Sequence, residues 1–226
     1  MTSAALLVDT RGGRFSKALG IDLGSGDSHE VFKWLLAAIL FGARISEILA
    51  VRTFHEFVRA GLTTPQQLLE RGWEGLVAIL DRGGYVRYDF KTASKLLEVA
   101  GHLMDVYGGD LTALHSAAES PADLETRIQA LGKGIGEVTV NIFLREMRGI
   151  WSKANPSPSE LVLAAARSSR FIPPDVADRR KALRLLMSIW QREGHTAADF
   201  PDFEAALLRL GLEERRRTAR KRRRGS

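Results

Sequence analysis

Apolar residues recur along this chain at three- and four-residue spacings and hardly anywhere at alternate positions. From Ser28, Val31, Trp34, Leu35, Ala38 and Ile39 draw one stripe on a helix that runs to about Phe41, with Ser28 as its N-cap. A second helix from Ser46 carries Ile48, Leu49, Phe54, Phe57 and Val58. Thr64-Pro65, a capping residue followed by proline at the first helical position, opens a short third. Trp73 to Leu80 reads as a fourth, and Tyr88 to Tyr107, with Leu96, Leu97, Leu103 and Met104 apolar, as a longer fifth. Ser120-Pro121 opens a sixth. Beyond Glu137, the residues Val140, Phe143, Leu144, Met147 and Trp151 again mark one helical face. Later helices are predicted from about Ser159 to Ser169, Asp175 to Glu193 and Pro201 to Leu210. The first 28 residues show no period, and Gly83-Gly84-Tyr85-Val86 is too short to count as a strand. The predicted fold class is all-α.

At 226 residues and 45% hydrophobic, the chain can bury one or two cores without a covalent staple. It contains no cysteine, which excludes disulfides, cysteine-ligated zinc and an iron–sulfur cluster. The longest apolar run, Trp34 to Phe41, is eight residues, far below the roughly 20 of a spanning helix. No cationic region leads into an apolar stretch at the N-terminus, so no secretory signal is read. The expected protein is cytoplasmic, nucleoid-associated, monomeric and off the membrane.

The net charge of +6 is unevenly placed. Eight basic residues and no acid lie between Arg215 and Ser226, which leaves the first 214 residues at −2. Such dense like charge repels itself, so residues 213–226 are expected to form a disordered basic tail with nucleic acid as its partner.

Gly132-Lys133-Gly134-Ile135-Gly136 separates two amphipathic helices, the second opening with Glu137, Val138 and Thr139. Alternate glycines let a backbone turn sharply and approach a ligand closely. Amides at the following helix N-terminus then favour an anion, and a DNA phosphate fits. Ile135 would plug the turn into the core.

This segment resembles the helix–hairpin–helix motif of the endonuclease III-like DNA glycosylase superfamily, whose hairpins read Leu-Pro-Gly-Val-Gly-x-x-Thr-Ala-Asn. Gly134-Ile135-Gly136-Glu137-Val138-Thr139-Val140-Asn141 follows that pattern, with Lys133 where proline is usual. Phe32 to Leu40 resembles the family's opening core helix, and Gly84-Tyr85 with Lys91-Thr92-Ala93-Ser94-Lys95-Leu96-Leu97 its Gly-Leu-Tyr…Lys-Ala stretch. Gly108-Gly109-Asp110-Leu111 resembles the Gly-Gly-x-Val that precedes the hairpin. The likeness covers roughly residues 28 to 165.

The resemblance implies a two-lobed fold: a six-helix barrel over residues 45–150 ending in the helix–hairpin–helix, and a second lobe from residues 1–44 plus 151–212. It implies double-stranded DNA as partner and a damaged base flipped out of the stack before its glycosidic bond is hydrolysed. Gly134, Gly136, Glu137, Val138, Thr139 and Lys133 would contact DNA at the hairpin. Tyr85, Val86 and Arg87 would form the wedge that fills the vacated stack, with Arg44 beside the other insertion point, where Ala43 replaces a usual glutamine. Trp34, Tyr88 and Trp151 are candidates for the base pocket. Carbonyls of Ala130, Gly132 and Ile135 match positions that hold a structural monovalent cation in the family. No other cofactor is implied, and the five histidines share no ligand spacing.

The catalytic pattern departs from the family's. The lysine that attacks the sugar in bifunctional members falls at Val138, which cannot form a Schiff base. The aspartate expected before the next helix falls in Lys153-Ala154-Asn155-Pro156-Ser157-Pro158-Ser159-Glu160. Asn155 is nearest by spacing, and its carbonyl could orient a water but not balance a cationic sugar. Ser157 is expected as N-cap, with Glu160 closing a capping box. A monofunctional glycosylase for a base that leaves readily, such as an alkylated purine, is one expectation. A non-catalytic DNA-binding module on the same scaffold is the other.

Overall fold

The computed structural model describes residues 3–224. Helices run in the order α1 (Ala4–Arg11), α2 (Phe15–Ala18), α3 (Ser28–Phe41), α4 (Glu47–Arg59), α5 (Pro65–Gly83), α6 (Asp89–Tyr107), α7 (Leu111–Ala117), α8 (Pro121–Ala130), α9 (Glu137–Met147), α10 (Glu160–Ser168), α11 (Arg179–Arg192) and α12 (Phe200–Arg224). A short 3₁₀ turn precedes α3. No strand occurs among the described residues, so the chain is all-α. No described helix is long and apolar enough to cross a membrane.

The chain divides into two compact units, residues 19–154 and residues 1–18 with 155–226. In the larger, α3 packs on α4 and α9, and α5 on α6. Nine of the fourteen residues of α3 are buried, because its apolar positions wrap nearly all round instead of forming one stripe. Fully buried Trp34 donates its indole N–H to the Phe143 carbonyl at 3.0 Å, which fixes α3 against α9. This helix, expected with the N-terminal segment in the second lobe, thus stands at the centre of the larger unit.

The smaller unit is built from both ends of the described chain: α1 and α10 pack on α12. Its core joins Leu7, Val162, Leu186, Trp190, Phe203 and Leu207. Buried Asp202 binds the Arg14 amide at 2.8 Å and the Arg14 guanidinium at 3.2 Å. Burial raises its pKa, but Arg14 and Lys17 outweigh that and hold the carboxyl below its ordinary value.

Several local expectations need correction. The second helix does not turn all its apolar residues inward: Ile48 is 81% exposed. The predicted third and fourth helices meet at Gly72, which kinks α5 with φ 71°. Trp151 lies past the end of α9, where the chain has already turned at Gly149. Helices α1, α2 and α7 were not predicted, being too short to show a period. Most conspicuously, the basic segment is not disordered as far as the structure describes it, since α12 continues to Arg224. A helix already anchored in a core extends by propagation, and arginine and lysine are good helix formers. Residues 225–226 lie outside the described residues.

Candidate nucleic-acid interface

The hairpin between α8 and α9 rests on α6. Gly134 adopts φ +86°, a left-handed conformation that suits glycine. A Cβ there would meet Lys95 Cε at 3.2 Å and Nζ at 3.4 Å, so the turn rests directly on a side chain of α6. Buried Gly132 likewise backs onto Val99 of the same helix. The Ile135 amide donates to the Gly132 carbonyl at 3.1 Å, closing the turn, and the Ile135 side chain is buried. Lys133, Gly134, Gly136, Glu137 and Val138 are all exposed, Val138 by 64%.

Gly136 is the N-cap of α9 and supplies no side-chain hydrogen bond. The amides of the first helical turn are therefore left for another acceptor. Thr139 is buried rather than offered outward, packed where a Cβ on Gly42 would strike its hydroxyl. That contact brings the exposed Arg44, two residues after Gly42, to the same side of the unit as the start of α9.

Lys95 is the residue that sequence reasoning did not select. Its half-buried ammonium lies against the hairpin and makes no hydrogen bond or ion pair with another described residue. Burial alone pulls its pKa below the ordinary lysine value, since nothing offsets the forfeited solvation. An anion at the hairpin would offset it. The only signal in the sequence was a second lysine in the stretch from Lys91 to Leu97.

The loop before α6 divides the three proposed wedge residues. Tyr85 is 1% exposed, with its amide donating to the Leu80 carbonyl at 2.9 Å and its ring 6.4 Å from Tyr88, edge to face. Burial pushes its hydroxyl pKa up, against a hydrogen bond with Thr92. It is a core residue and not a wedge, because the chain folds inward after Gly84. Val86, 65% exposed, and exposed Arg87 remain outward. The Arg52 guanidinium donates to the Gly83 carbonyl at 2.6 Å and pins the start of the loop.

The proposed base-stacking aromatics are also corrected. Trp34 is fully buried, and Trp151 is 5% exposed, stacked on His115 at 4.8 Å and edge-on to Phe143 at 5.5 Å. Neither offers a face to a base. Lys153 donates to the His115 carbonyl at 2.8 Å, so it too is tied into this packing. Tyr88 is half-buried, with the Arg87 guanidinium 5.5 Å from its ring centre.

Asn155, Ser157 and Glu160 lie in the smaller unit. Asn155 is exposed, and its backbone carbonyl accepts from Arg180 at 2.6 Å. Ser157 does not cap α10; Ser159 does, its hydroxyl accepting from the Val162 amide at 3.4 Å. The predicted capping box is not formed: α10 begins at Glu160, so the residue three past the Ser159 cap is Val162, which has no polar side chain to reach back. Glu160 then becomes the first helical residue, and its carboxylate pairs with Arg179 at 2.7 Å. Among the described residues no group of three or more His, Asp or Glu could hold a metal ion.

No family model matches this chain, and no curated protein matches it by sequence.

Proposed function

We propose that this protein binds duplex DNA through the hairpin at residues 132–138 and hydrolyses the glycosidic bond of a flipped, readily leaving damaged base without a covalent intermediate. The observation that carries the DNA reading is the exposed Gly134–Gly136 turn running into an uncapped α9, with the unpaired Lys95 ammonium behind it. Backbone amides and a cation converging on one exposed turn suit a phosphate oxygen. The enzymatic part rests on the order and spacing of motifs that resemble the glycosylase superfamily.

At the hairpin, the carbonyls of Ala130, Gly132 and Ile135 would hold a structural monovalent cation between turn and phosphate. The Gly132 carbonyl accepts one hydrogen bond, which leaves its second lone pair for an ion. Val138 supplies no amine, so attack on the sugar falls to water. The Asn155 amide would orient that water, and the cationic sugar would have no aspartate beside it, which restricts the substrate to bases that depart easily. Alkylated purines suit that restriction.

The test is incubation with a panel of modified-base duplexes, then alkali to cut abasic sites. Strand cutting on an alkylated-purine duplex, with no covalent trapping by borohydride, is the expected result. Asn155→Asp should extend activity to poorer leaving groups; removing one stabiliser of this kind elsewhere costs about 10²–10³ in rate. One observation favours a second reading, a non-catalytic DNA-binding module: the carboxylate nearest the expected aspartate position, Glu160, is engaged by Arg179. Retained DNA binding with every duplex in the panel intact selects it.

A further inference from the structure

We propose that α12 from Arg215 to Arg224 is a preformed helical arm that lies in the major groove of duplex DNA and neutralises phosphates of both strands. The inference shares its partner with the proposed function, but α12 carries it. This helix is continuous over 25 residues. Residues 201–207 are all buried, and Gly211 is seated so closely on the Leu161 backbone that a Cβ would strike it. From Arg215 to Lys221 every residue is exposed. The core thus meets the cost of starting the helix, and the basic part only extends it. Glu213 pairs with Arg217 at 4.0 Å, and the Thr218 hydroxyl donates to the Glu214 carbonyl at 3.0 Å, both one turn apart.

The chemistry of the arm selects its partner. Arg215, Arg216, Arg220 and Lys221 have no acidic partner among the described residues. At about 100° per residue, the basic positions fall on all sides of the helix axis. Beyond Leu212 the only apolar residue is Ala219. A membrane-surface helix needs an apolar face, and a helix seated in a protein groove needs apolar anchors at helical spacing. This arm has neither. A rod that is cationic on all sides suits a ligand that is negative on both of its flanks. The major groove of B-form DNA, about 12 Å wide between two phosphate rows, admits a helix of roughly 10–12 Å diameter. The deep, narrow groove of duplex RNA does not.

The experiment uses the full chain and two arm variants. One changes Arg215, Arg216, Arg217, Arg220 and Lys221 to Gln, removing charge while keeping helix formers. The other is Thr218→Pro, which keeps every charge and breaks the helix past its last buried residue. Duplex affinity is measured against salt, and major-groove occupancy by protection of guanine N7 from dimethyl sulfate. The five-Gln variant should flatten the log–log salt slope by about 0.9 for each phosphate it no longer neutralises. Thr218→Pro should abolish the N7 protection although its charge is intact. If thermal melting reports an unfolded proline variant, Thr218→Gly with Ala219→Gly replaces it under the same criterion.

Guanine protection by Thr218→Pro equal to the parent's would overturn the proposal, making the segment a charged tail indifferent to shape. An unprotected N7 with the parent, equal affinity for duplex RNA, or tighter binding to anionic vesicles would overturn it too. Gly136→Asp separates the two sites. Binding abolished there but untouched in both arm variants sinks the arm and keeps the hairpin; the reverse pattern keeps the arm and sinks the hairpin.

Discussion

Two helix beginnings in this chain look alike in sequence and differ in what they leave open. Both α9 and α10 follow breaks rich in small residues, and both start with glutamate. At α10 the Ser159 hydroxyl caps the Val162 amide, and Arg179 takes the Glu160 carboxylate. That end is closed by the protein itself. At α9 the cap is a glycine without a side chain, and the turn before it sits on an ammonium that has no acid partner. Ser, Thr or Asp side chains also cap α1, α3, α4, α5, α7, α8 and α11. Helices α6 and α9 are started without a side-chain cap, and of these α9 is the one whose cap residue is exposed and on which the proposed phosphate contact rests.

The largest effect should come from closing α9. A Cβ on Gly136 meets nothing within 4 Å, so Gly136→Asp can enter without a clash. It would install a side-chain cap of the kind α10 already has, with a negative charge where the proposed phosphate would sit. Charge-assisted hydrogen bonds are worth about 1.5–3 kcal/mol each, so duplex affinity should fall about 10- to 100-fold. Circular dichroism should show the fold intact; unchanged affinity would make α9 an ordinary turn.

Next in size is Lys95→Met. Removing a desolvated ammonium should weaken DNA binding several-fold, with the salt slope reduced by about 0.9, and should raise the melting temperature. The pH dependence has a defined sign. The folded pKa of Lys95 lies below its unfolded value, so the unfolded chain binds more protons between them. Stability should therefore rise as pH climbs from that lowered pKa towards the ordinary lysine range. DNA affinity should fall over the same window as the ammonium gives up its proton. A Met variant that melts lower and binds DNA normally would reduce Lys95 to packing.

Ser159→Ala tests the closed end. Removing a serine cap costs about 1 kcal/mol, read as a lower denaturant midpoint, and duplex affinity should not move. A drop in affinity with stability unchanged would erase the distinction between the two ends. The smallest effect belongs to Glu137→Gln. Its exposed carboxylate occupies the first turn of α9 and would compete with the proposed phosphate there. Neutralising it should improve affinity about twofold at low salt, by the few tenths of a kcal/mol such a charge is worth.

What could be read from sequence depended on how far a residue's reasons lie from it along the chain. The Gly134–Gly136 turn and the Thr64-Pro65 start were legible because their causes are local. Helix α1 was not, because its eight residues are too few to show a period and its first amides are held from afar by Glu193, at 2.9 Å to Ala4 and 3.0 Å to Ala5. Tyr85 was misplaced because a glycine-led loop looks exposed until the Leu80 carbonyl draws it inward. Periodicity ended α12 at Leu210, close to Leu212 where its apolar residues give way to charge; the helix itself continues without a breaker. Lys95 escaped notice because its meaning lies in the packing of α6 on the hairpin, 39 positions from Gly134.

The bonds from Glu193 and Asp202 back to residues 4, 5 and 14 also set an order of assembly. On a ribosome, Ala4 emerges well before its partner Glu193, which is made 189 residues later. An eight-residue helix such as α1 does not persist alone in water. Residues 19–154, by contrast, are contiguous and can fold as soon as they emerge. Residues 4–14 must wait unfolded through that interval, and they dock only when Glu193 and Asp202 arrive to receive them.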